Sequence, residues 1–386
     1  MPSTDPSLPS SDFVIVGGGI LGLAHAVAAL RAGASVTLLE RHGAARGASV
    51  RNFGMVWPIG QPDGARLAEA LRSRELWSAT AAEAGIACRQ SGSLHLAHAE
   101  DEWQVLEEFV ARSELTGLEL WTPDRVRAAV PHVVQRRLVG ALFSPHEMNL
   151  DAPAAIAGLT RWLARQPRAN VLPGTPAVAV DGRTVLCADG SRHAAGHVVI
   201  CSGDEFRLLF PAAFAASDLV RCRLQMMSLG PQPASFRLGP VLAAGLTLLH
   251  YHAFRDCPTL PALRARLERT HGPLIAQGIH VLVSQGDDGR LVVGDSHAYG
   301  QEFAPWSEPT VDALILGELL RFLDPPNREV ERRWTGCYAM RRSGEPIFRA
   351  EPQPGVEIVT GVGGSGMTRS MAIGEATITR RLAGSS

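Results

Sequence analysis

The sequence contains no lysine, and all 37 of its Lys+Arg residues are arginines. A genome rich in G and C would produce the same bias, so the absence need not reflect selection for function. Its chemical consequence holds in either case: no lysine can form a Schiff base, act as a base of lowered pKa, or activate oxygen. Any positive charge that the chemistry requires must come from arginine or histidine.

Net charge and long apolar segments are also scarce. The formal net charge is -1, which gives no reason to expect nucleic acid or an anionic membrane surface as a partner. No window has the apolar length needed to cross a bilayer, and residues 1–11 are Ser/Pro-rich without the features of a signal peptide. We therefore expect a cytoplasmic protein whose residues 1–11 form a disordered tail.

Paired cysteines are absent as well, since the cysteines are scattered and form no C-x-x-C motif. This distribution fits a reducing compartment and excludes a cysteine-based structural zinc site. The cysteines are Cys88, Cys187, Cys201, Cys222, Cys257 and Cys337.

The strongest motif lies near the N-terminus, where residues 13–40 read FVIVGGGILGLAHAVAALRAGASVTLLE. An apolar strand is followed by the G-x-G-x-x-G spacing of Gly17, Gly19 and Gly22, then by a helix and a second strand that ends in Glu40. The glycines allow a tight turn, close approach to a pyrophosphate and close helix–strand packing, while the acid accepts hydrogen bonds from ribose hydroxyls. The unit predicts a dinucleotide site, and alone it could hold NAD or FAD.

A second glycine-rich turn lies near the C-terminus. Residues 356–360 are predicted to form a strand, followed by the loop GVGGSG and by a helix from Met367 onward. The N–H groups at such a helix N-terminus face anionic or electron-rich partners. A flavoenzyme can use them beside the reduced isoalloxazine, whereas a nicotinamide enzyme has little need of them. The turn therefore favours FAD, although a turn that only packs the last helix on the sheet would look similar.

Several elements between these ends are predicted by capping residues and hydrophobic periodicity. Asp151 is the expected N-cap of one helix, and the run GHVVICSG is expected to return beside the first strand in parallel. Residues 279–295 are expected to form a hairpin, and residues 170–202 to hold three strand runs. Helices are expected at 66–84, 101–115, 122–129, 152–164, 260–269 and 311–322.

Together, the two ends resemble the D-amino-acid oxidase superfamily, which includes glycine and sarcosine oxidases. The motifs VIVGGGILGL…LLER, ALFSPHEMNLDAPA, HVVICSG and GVGGSGMT occur in the family's order over nearly the whole chain. The resemblance implies an α/β fold, in which a Rossmann-type FAD-binding domain is interleaved with an α+β substrate domain on a mixed or antiparallel sheet. It assigns residues 12–85, 146–205 and 345–386 to the FAD-binding domain, and residues 86–145 and 206–344 to the substrate domain.

The resemblance also implies which residues hold FAD. The ADP half falls to Gly17, Gly19, Ile20, Leu21, Gly22, Glu40 and Arg41, and the pyrophosphate and flavin to Ser49, Asn52 and Phe53. Val178 is expected at the adenine, Ser202 and Gly203 at the end of a neighbouring strand, and Gly364, Ser365, Gly366, Met367 and Thr368 beside the isoalloxazine.

Cys337 stands where sarcosine-oxidase-like relatives attach FAD through a cysteine sulfur. Glycine-oxidase-like relatives lack that link, so non-covalent FAD and an unreactive thiol are expected here. A covalent link through Cys337 is the alternative.

The middle section, from LTLLHYHAF to VVGDSHAYG, resembles a branch of FAD-dependent oxidoreductases found among phosphonate-degradation genes. This resemblance implies oxidation of a small anionic amine at the carbon next to nitrogen, with an aminophosphonate as the expected substrate. One alternative is a D-amino-acid or glycine/sarcosine oxidase or dehydrogenase, and another is a flavoprotein subunit that passes electrons to a partner. The electron acceptor, O₂ or another, and the oligomeric state stay open.

The substrate-binding strand of the family matches residues 334–348, and Tyr338 replaces the arginine that usually binds the substrate carboxylate. This departure disfavours a simple amino acid as substrate. Arg341 and Arg342 follow and could reach a phosphonate, although one of them is expected to face solvent. Arg51, next to the flavin-facing loop, is a further candidate for binding the anion.

Histidines supply the remaining candidates. His250, Tyr251 and His252 are predicted to alternate on a strand, so that His250 and His252 share a face, with His280 and His297 on neighbouring strands. Catalytic roles are expected for His252, Tyr338 and His280. Metal binding by these histidines is possible in principle, but flavin chemistry needs no metal and none is expected. Substrate binding is expected from Arg51, His250, Tyr251, Arg341 and Arg342.

Overall fold

The computed structural model describes residues 10–344 and 347–384. Its strands are β1 (Ser10–Val16), β2 (Val36–Glu40), β3 (Met55–Val56), β4 (Ser93–Ala97), β5 (Glu119–Trp121), β6 (Gly140–Ser144), β7 (Met148–Asn149), β8 (Ala169–Pro173), β9 (Ala177–Asp181), β10 (Thr184–Cys187), β11 (Arg192–Ile200), β12 (Leu219–Leu229), β13 (Val241–Ala243), β14 (Leu282–Gln285), β15 (Leu291–Gly294), β16 (Ala298–Gly300), β17 (Val330–Arg341), β18 (Phe348–Gln353) and β19 (Val356–Thr360).

Helices alternate with these strands and cover their faces. They are α1 (Ile20–Arg31), α2 (Ala65–Ala84), α3 (Glu100–Arg112), α4 (Pro123–Ala129), α5 (Ala152–Leu163), α6 (Pro211–Ala215), α7 (Leu246–His250), α8 (Leu260–Thr270), α9 (Gly272–Ala276), α10 (Pro309–Phe322) and α11 (Gly366–Ala383). Within residues 10–344 and 347–384, none of these helices has the length and apolar character needed to cross a membrane.

One large sheet has the order β18-β19-β11-β1-β2-β8, with β10 and β9 attached to β11. Its central pairs are parallel, and Val14 lies opposite Val198 on β11 and Thr37 on β2. The predicted return of GHVVICSG beside the first strand is therefore confirmed. The central strands read as continuous apolar runs because both faces of the sheet are covered: one packs on α1, α5 and α11, and the other on a second apolar cluster that includes Phe214 and Leu219.

The other large sheet is mixed, in the order β16-β12-β15-β14-β13-β4-β6-β5, with β17 paired to β12. Most of its pairs are antiparallel, but β13 and β4 run parallel. The predicted hairpin is present as the antiparallel pair β14–β15. The mixed α/β fold with two sheets agrees with the expected fold class. The strands of each sheet come from the segments assigned to one domain, and the domain boundaries themselves stay a prediction.

Local signals were strong where a cap or a buried strand marked the end of an element. Asp151 caps α5 by accepting a hydrogen bond from the backbone N–H of Ala154, at 2.8 Å.

Two expectations need correction. Residues 170–202 hold four strands (β8 to β11) rather than three, because the run VLPGTPAVAV is interrupted at Gly174, whose φ is +72°, and is divided between β8 and β9. Ser10 and Ser11 belong to β1, where they pair with β11, so the tail does not reach residue 11; residues 1–9 lie outside the described residues.

The prediction of a strand through residues 250–252 is wrong. His250 ends the short helix α7, and His252 begins a 3₁₀ turn over His252–Phe254. Leu246 and Leu248 are both buried on this single turn of helix. In so short a run, buried residues two apart look the same as the alternation of a strand. His250 and His252 consequently do not share the face of a strand.

Backbone contacts at two glycines fix how α1 is placed. Gly17 has a φ of +112°, and a Cβ at Gly22 would lie 1.8 Å from the Gly17 carbonyl oxygen. At the other side of α1, a Cβ at Gly374 of α11 would lie 2.7 Å from the backbone of Ala24. The first and last helices of the chain therefore pack backbone against backbone, which a side chain at these positions would prevent.

The buried carboxyl group of Glu147 connects three segments around the centre of the molecule. Its Oε1 accepts a hydrogen bond from the Ile59 N–H at 3.0 Å, and its Oε2 accepts one from the Ser93 hydroxyl at 2.9 Å. Burial raises the pKa of Glu147 to about 7. The folded protein therefore favours the protonated acid, and ionisation at higher pH weakens the fold.

We expect Gly22→Ala to destabilise the fold by at least about 2 kcal/mol, because the new Cβ collides with backbone rather than with a flexible side chain. The matched control is Gly317→Ala on the exposed face of α10, where a Cβ meets no atom within 4 Å. That change should be neutral or stabilise by up to about 1 kcal/mol. Chemical denaturation measures both values, and equal stability of the two variants would contradict the close packing.

We expect the free energy of unfolding of the wild type to fall relative to Glu147→Gln as the pH rises from about 4.5 to about 7. The folded-state pKa is raised, so the stabilisation is present at low pH and is lost over that window, by roughly 3 kcal/mol. The amide keeps an acceptor oxygen, so it isolates the effect of ionisation. Denaturation curves at several pH values measure the difference, and a pH-independent difference would argue against a raised pKa.

Candidate active site

A cavity of about 830 Å³ lies where β1, β2 and β11 end. Val16, Leu39 and Cys201 line it at or just beyond those carboxyl ends, the place where open parallel sheets bind ligands. Residues of the mixed sheet, among them Tyr338 on β17 and Leu282 on β14, line the same cavity. One continuous space therefore connects the dinucleotide motif with the mixed sheet.

The N-terminal end of this cavity is built by backbone N–H groups and a carboxylate. Glu40 accepts hydrogen bonds from the N–H groups of Gly18 at 2.8 Å and His42 at 2.9 Å. The Ser49 hydroxyl accepts one from Ile20 at the first turn of α1, also at 2.9 Å. A Cβ at Gly19 would lie 3.1 Å from that hydroxyl, so the glycine keeps the entrance to the helix N-terminus open.

The opposite end of the cavity is the glycine loop before α11. Thr368 accepts a hydrogen bond from the Trp57 N–H at 2.9 Å, and Met367 accepts one from the Trp77 indole N–H at 2.7 Å. These bonds hold the first turn of α11 against the cavity. The Ser365 hydroxyl is bonded back to the Val362 carbonyl at 2.7 Å rather than capping the helix, so the N-terminal N–H groups of α11 stay available to a bound group.

The structure brings most of the expected cofactor residues to this cavity. Two of them stand apart: Gly22 packs behind the turn, against the Gly17 carbonyl, and Val178 is 41 % exposed on β9 while its neighbour Ala177 lines the cavity. Neighbouring side chains on a strand point to opposite faces, so Ala177 rather than Val178 faces the cavity, and the contact of Val178 with the adenine stays a prediction. The residues that line the cavity are Gly17, Gly19, Ile20, Leu21, Glu40, Arg41, Ser49, Asn52, Phe53, Ser202, Gly203, Gly364, Ser365, Gly366, Met367 and Thr368.

Comparison with known proteins identifies the class. The family model for FAD-dependent oxidoreductases of the DAO type matches residues 12–380, so the chain belongs to this family of FAD-dependent enzymes. Glycine oxidase from Geobacillus kaustophilus has a similar structure, with a TM-score of 0.76, 19% identity and coverage of 96% of this chain and 95% of the oxidase.

Two further relatives are named for other activities. L-alpha-glycerophosphate oxidase from Mycoplasma pneumoniae, solved with FAD bound, aligns with a TM-score of 0.73 and 18% identity over 97% of this chain and 95% of that one. An opine oxidase component from Agrobacterium tumefaciens is 24% identical over 375 residues, 90% of this chain and 87% of that protein. The structural likenesses agree on the fold.

The residues present fit FAD. The glycine turn at Gly17 leaves room for a pyrophosphate, Glu40 ends β2 beside it, and the N-terminus of α11 faces the far end of the same cavity. Bound FAD supplies a two-electron acceptor, and the protein's own groups bind and orient what is oxidised.

Each tyrosine of the chain lines this cavity: Tyr251, Tyr299 and Tyr338. A Cβ at Gly364 would lie 3.4 Å from the Tyr338 hydroxyl, which places that phenol next to the loop expected beside the flavin ring. Removal from bulk water raises the pKa of Tyr338 well above its usual value. The phenol therefore stays protonated and can donate a hydrogen bond. Tyr299 was not predicted from the sequence, although the low number of tyrosines could have drawn attention to it.

The arginines expected to bind the substrate anion are arranged differently from the expectation. Arg341 lines the cavity, but its guanidinium is paired with the Asp218 carboxylate at 2.7 Å. Arg342 is exposed and does not line the cavity. Arg51 lines it, and its Nη1 donates to the Thr335 carbonyl at 2.9 Å. Arg66, which also lines the cavity, was not singled out from the sequence because it lies in the first turn of an ordinary helix.

Imidazoles come together at the substrate end. The ring centroids of His250 and His280 are 3.8 Å apart, and those of His280 and His297 are 5.2 Å apart. Asp295 lies beside them, with an oxygen 3.4 Å from Nε2 of His280. His252 also lines the cavity but is exposed and stands outside this cluster. The imidazoles were predicted from the sequence, whereas Asp295 was not, because only the tertiary structure reveals its burial.

Cys337 is partly buried and lines the cavity. Burial, with the nearby carboxylate of Asp204, raises the pKa of its thiol to about 12. A thiol with so high a pKa is a poor nucleophile. This favours the non-covalent binding of FAD that the sequence predicted.

We expect Glu40→Ala to weaken FAD binding by roughly 10- to 100-fold, because the variant loses charge-assisted hydrogen bonds to Gly18 and His42 as well as an acceptor at the nucleotide. Fluorescence quenching of free FAD on titration with apoprotein measures the dissociation constant. Glu83→Ala, which removes only an exposed ion pair with Arg31, is the control and should bind FAD as the wild type does. Equal affinity of both variants would contradict a role for Glu40.

Proposed function

We propose that this chain oxidises a small anionic amine at the carbon next to nitrogen, and that its preferred substrate is an aminophosphonate, either primary or N-alkylated. Loss of a hydride from that carbon and of a proton from nitrogen gives an imine. Water then hydrolyses the imine to an aldehyde and an amine or ammonia. The electron acceptor that completes the cycle is O₂ or another oxidant.

Tyr338 is the observation that carries this proposal. In the family that the sequence resembles, an arginine at this position usually pairs with the carboxylate of an α-amino acid. Here a protonated phenol lies next to Gly364 and offers a hydrogen bond but no charge. The nearest arginine along the strand, Arg341, is already paired with Asp218. An anionic group attached directly to the reacting carbon would thus meet neither an arginine at position 338 nor an unpaired guanidinium at Arg341.

The polar groups of the cavity lie on another part of its wall. His250 and His280 stack against each other, and the exposed His252 and the partly buried Arg66 also line the cavity. We propose that these groups receive the anion, while Tyr338 orients the amine. Such a division suits a substrate whose anionic group is separated from the oxidised carbon, as in a 2-aminoalkyl phosphonate.

The test is a substrate panel with the FAD-loaded protein. Anaerobic mixing with N-methyl-2-aminoethylphosphonate, 2-aminoethylphosphonate, glycine, sarcosine and D-alanine is followed by the loss of flavin absorbance. We expect the phosphonates to reduce the flavin with a kcat/KM at least about 100-fold above that of the amino acids, a difference of about 2.7 kcal/mol. N-methyltaurine is the matched control, because it keeps the spacing but carries a single sulfonate charge.

Reduction by D-alanine or sarcosine alone would overturn the aminophosphonate assignment in favour of an amino-acid oxidase or dehydrogenase. Failure of every amine to reduce the flavin would favour the electron-transfer subunit. Peroxide release in air, compared with reduction of an artificial dye, then separates O₂ from another acceptor.

A further inference from the structure

The histidine cluster at the substrate end has the composition of a metal site. One nitrogen from each of His250, His280 and His297 can be chosen so that all lie within 4.8 Å of one another. Four-coordinate zinc with nitrogens at 2.0–2.1 Å requires about 3.4 Å between ligand atoms, so the stacked rings of His250 and His280 must turn out of their stacking for their lone pairs to converge on one ion. The cluster also opens onto the cavity rather than being enclosed in the core.

The orientation of His297 is already set by the backbone. Its Nδ1 lies 2.9 Å from the carbonyl oxygen of Gly278 and donates a hydrogen bond to it, because a carbonyl only accepts. Nε2 is then the ring nitrogen whose lone pair can bind a metal. Gly278 has a φ of +58°, and a Cβ on it would lie 2.9 Å from the Cβ of His297. A hydrogen bond from the second ring nitrogen to a carbonyl is the usual way in which a metal-binding histidine is held.

His280 and Asp295 carry buried atoms without partners. His280 is 4 % exposed and Asp295 is 5 % exposed. Among the residues that the structure describes, Nδ1 of His280 and Oδ1 of Asp295 have no hydrogen-bond partner. An unsatisfied buried polar atom costs about 1–3 kcal/mol of folding free energy. Two apolar side chains at positions 280 and 295 would therefore give a more stable fold, unless a bound group satisfies these polar atoms. Oδ1 of Asp295 lies 3.4 Å from Nε2 of His280 without forming a hydrogen bond, so we take Nδ1, the buried ring nitrogen without a partner, as the ligand atom.

Packing of neutral rings is the simpler account of the cluster. It explains the stacked contact of His250 and His280 but not why Asp295 is buried beside them with an unpartnered oxygen.

We propose that His250, His280 and His297 bind a divalent transition-metal ion, best matched by Zn²⁺, and that the open coordination position of this ion receives the anionic group of the substrate. Three protein ligands with an open position are the usual arrangement where zinc contacts a substrate. The second half of the proposal rests on the proposed function, whereas the metal site does not. A bound cation would provide the charge that neither Arg341, Arg342 nor a lysine supplies.

Metal content tests the site directly. Tag-free, FAD-loaded protein is treated with dipicolinate, reconstituted with Zn²⁺, freed of excess metal and analysed by mass spectrometry of the elements. We expect about one zinc per chain in the wild type, and at least about a tenfold lower content in His280→Gln and His297→Gln. The matched control is His252→Gln, which alters a histidine of the same cavity outside the cluster and should keep its zinc.

Flavin content and melting temperature show whether each variant is folded. Zinc should raise the melting temperature of the wild type in a concentration-dependent manner and leave that of His297→Gln unchanged. Less than about 0.1 zinc per chain in reconstituted wild type, or equal zinc in the wild type and both cluster variants, would overturn the proposal.

The two halves of the proposal fail separately. With zinc removed, KM for N-methyl-2-aminoethylphosphonate should rise at least about tenfold, while the rate of flavin reduction by an uncharged amine stays the same. Zinc bound at one per chain with an unchanged KM would overturn the role in anion binding and keep the metal site. Because metal content is measured without substrate, a negative substrate panel would not affect that result.

Discussion

The close approach of α1 to the turn after β1 is the constraint on which the rest of the molecule depends. Gly22 lies against the Gly17 carbonyl, and on the other side of α1 Gly374 lies against Ala24. These contacts bring the two ends of the chain together, so that the first glycine turn and the loop before α11 face the same cavity. The residues expected to bind the two ends of the cofactor therefore line one continuous cavity.

The substrate end has a different origin. β17 brings Tyr338 to the loop before α11, the β14–β15 hairpin brings His280 and Asp295, and the helical turn α7 brings His250. All of these elements are far in sequence from the dinucleotide motif of residues 13–40. The cofactor end can therefore keep the chemistry common to the family, while the wall of the cavity decides which amine is bound.

Prediction from sequence succeeded where a local interaction determines the structure. The cap at Asp151, the apolar run of β11 and the glycines of the first turn each depend on neighbours a few residues away or on burial of a whole strand. It failed at His250, where one turn of helix imitated a strand, and it could not decide which side of β9 faces the cavity. Arg341 looked available because Asp218 is distant in sequence.

The sequence by itself determined the family, the cofactor and the exclusion of any chemistry that needs lysine. These depend on residue identity and on short spacings such as that of Gly17, Gly19 and Gly22. Only the tertiary structure decided which charged groups are available to a substrate. It pairs Arg341 with Asp218, turns Arg342 outward and collects imidazoles around Asp295. Charge pairing and desolvation depend on contacts between distant segments, which no local pattern records.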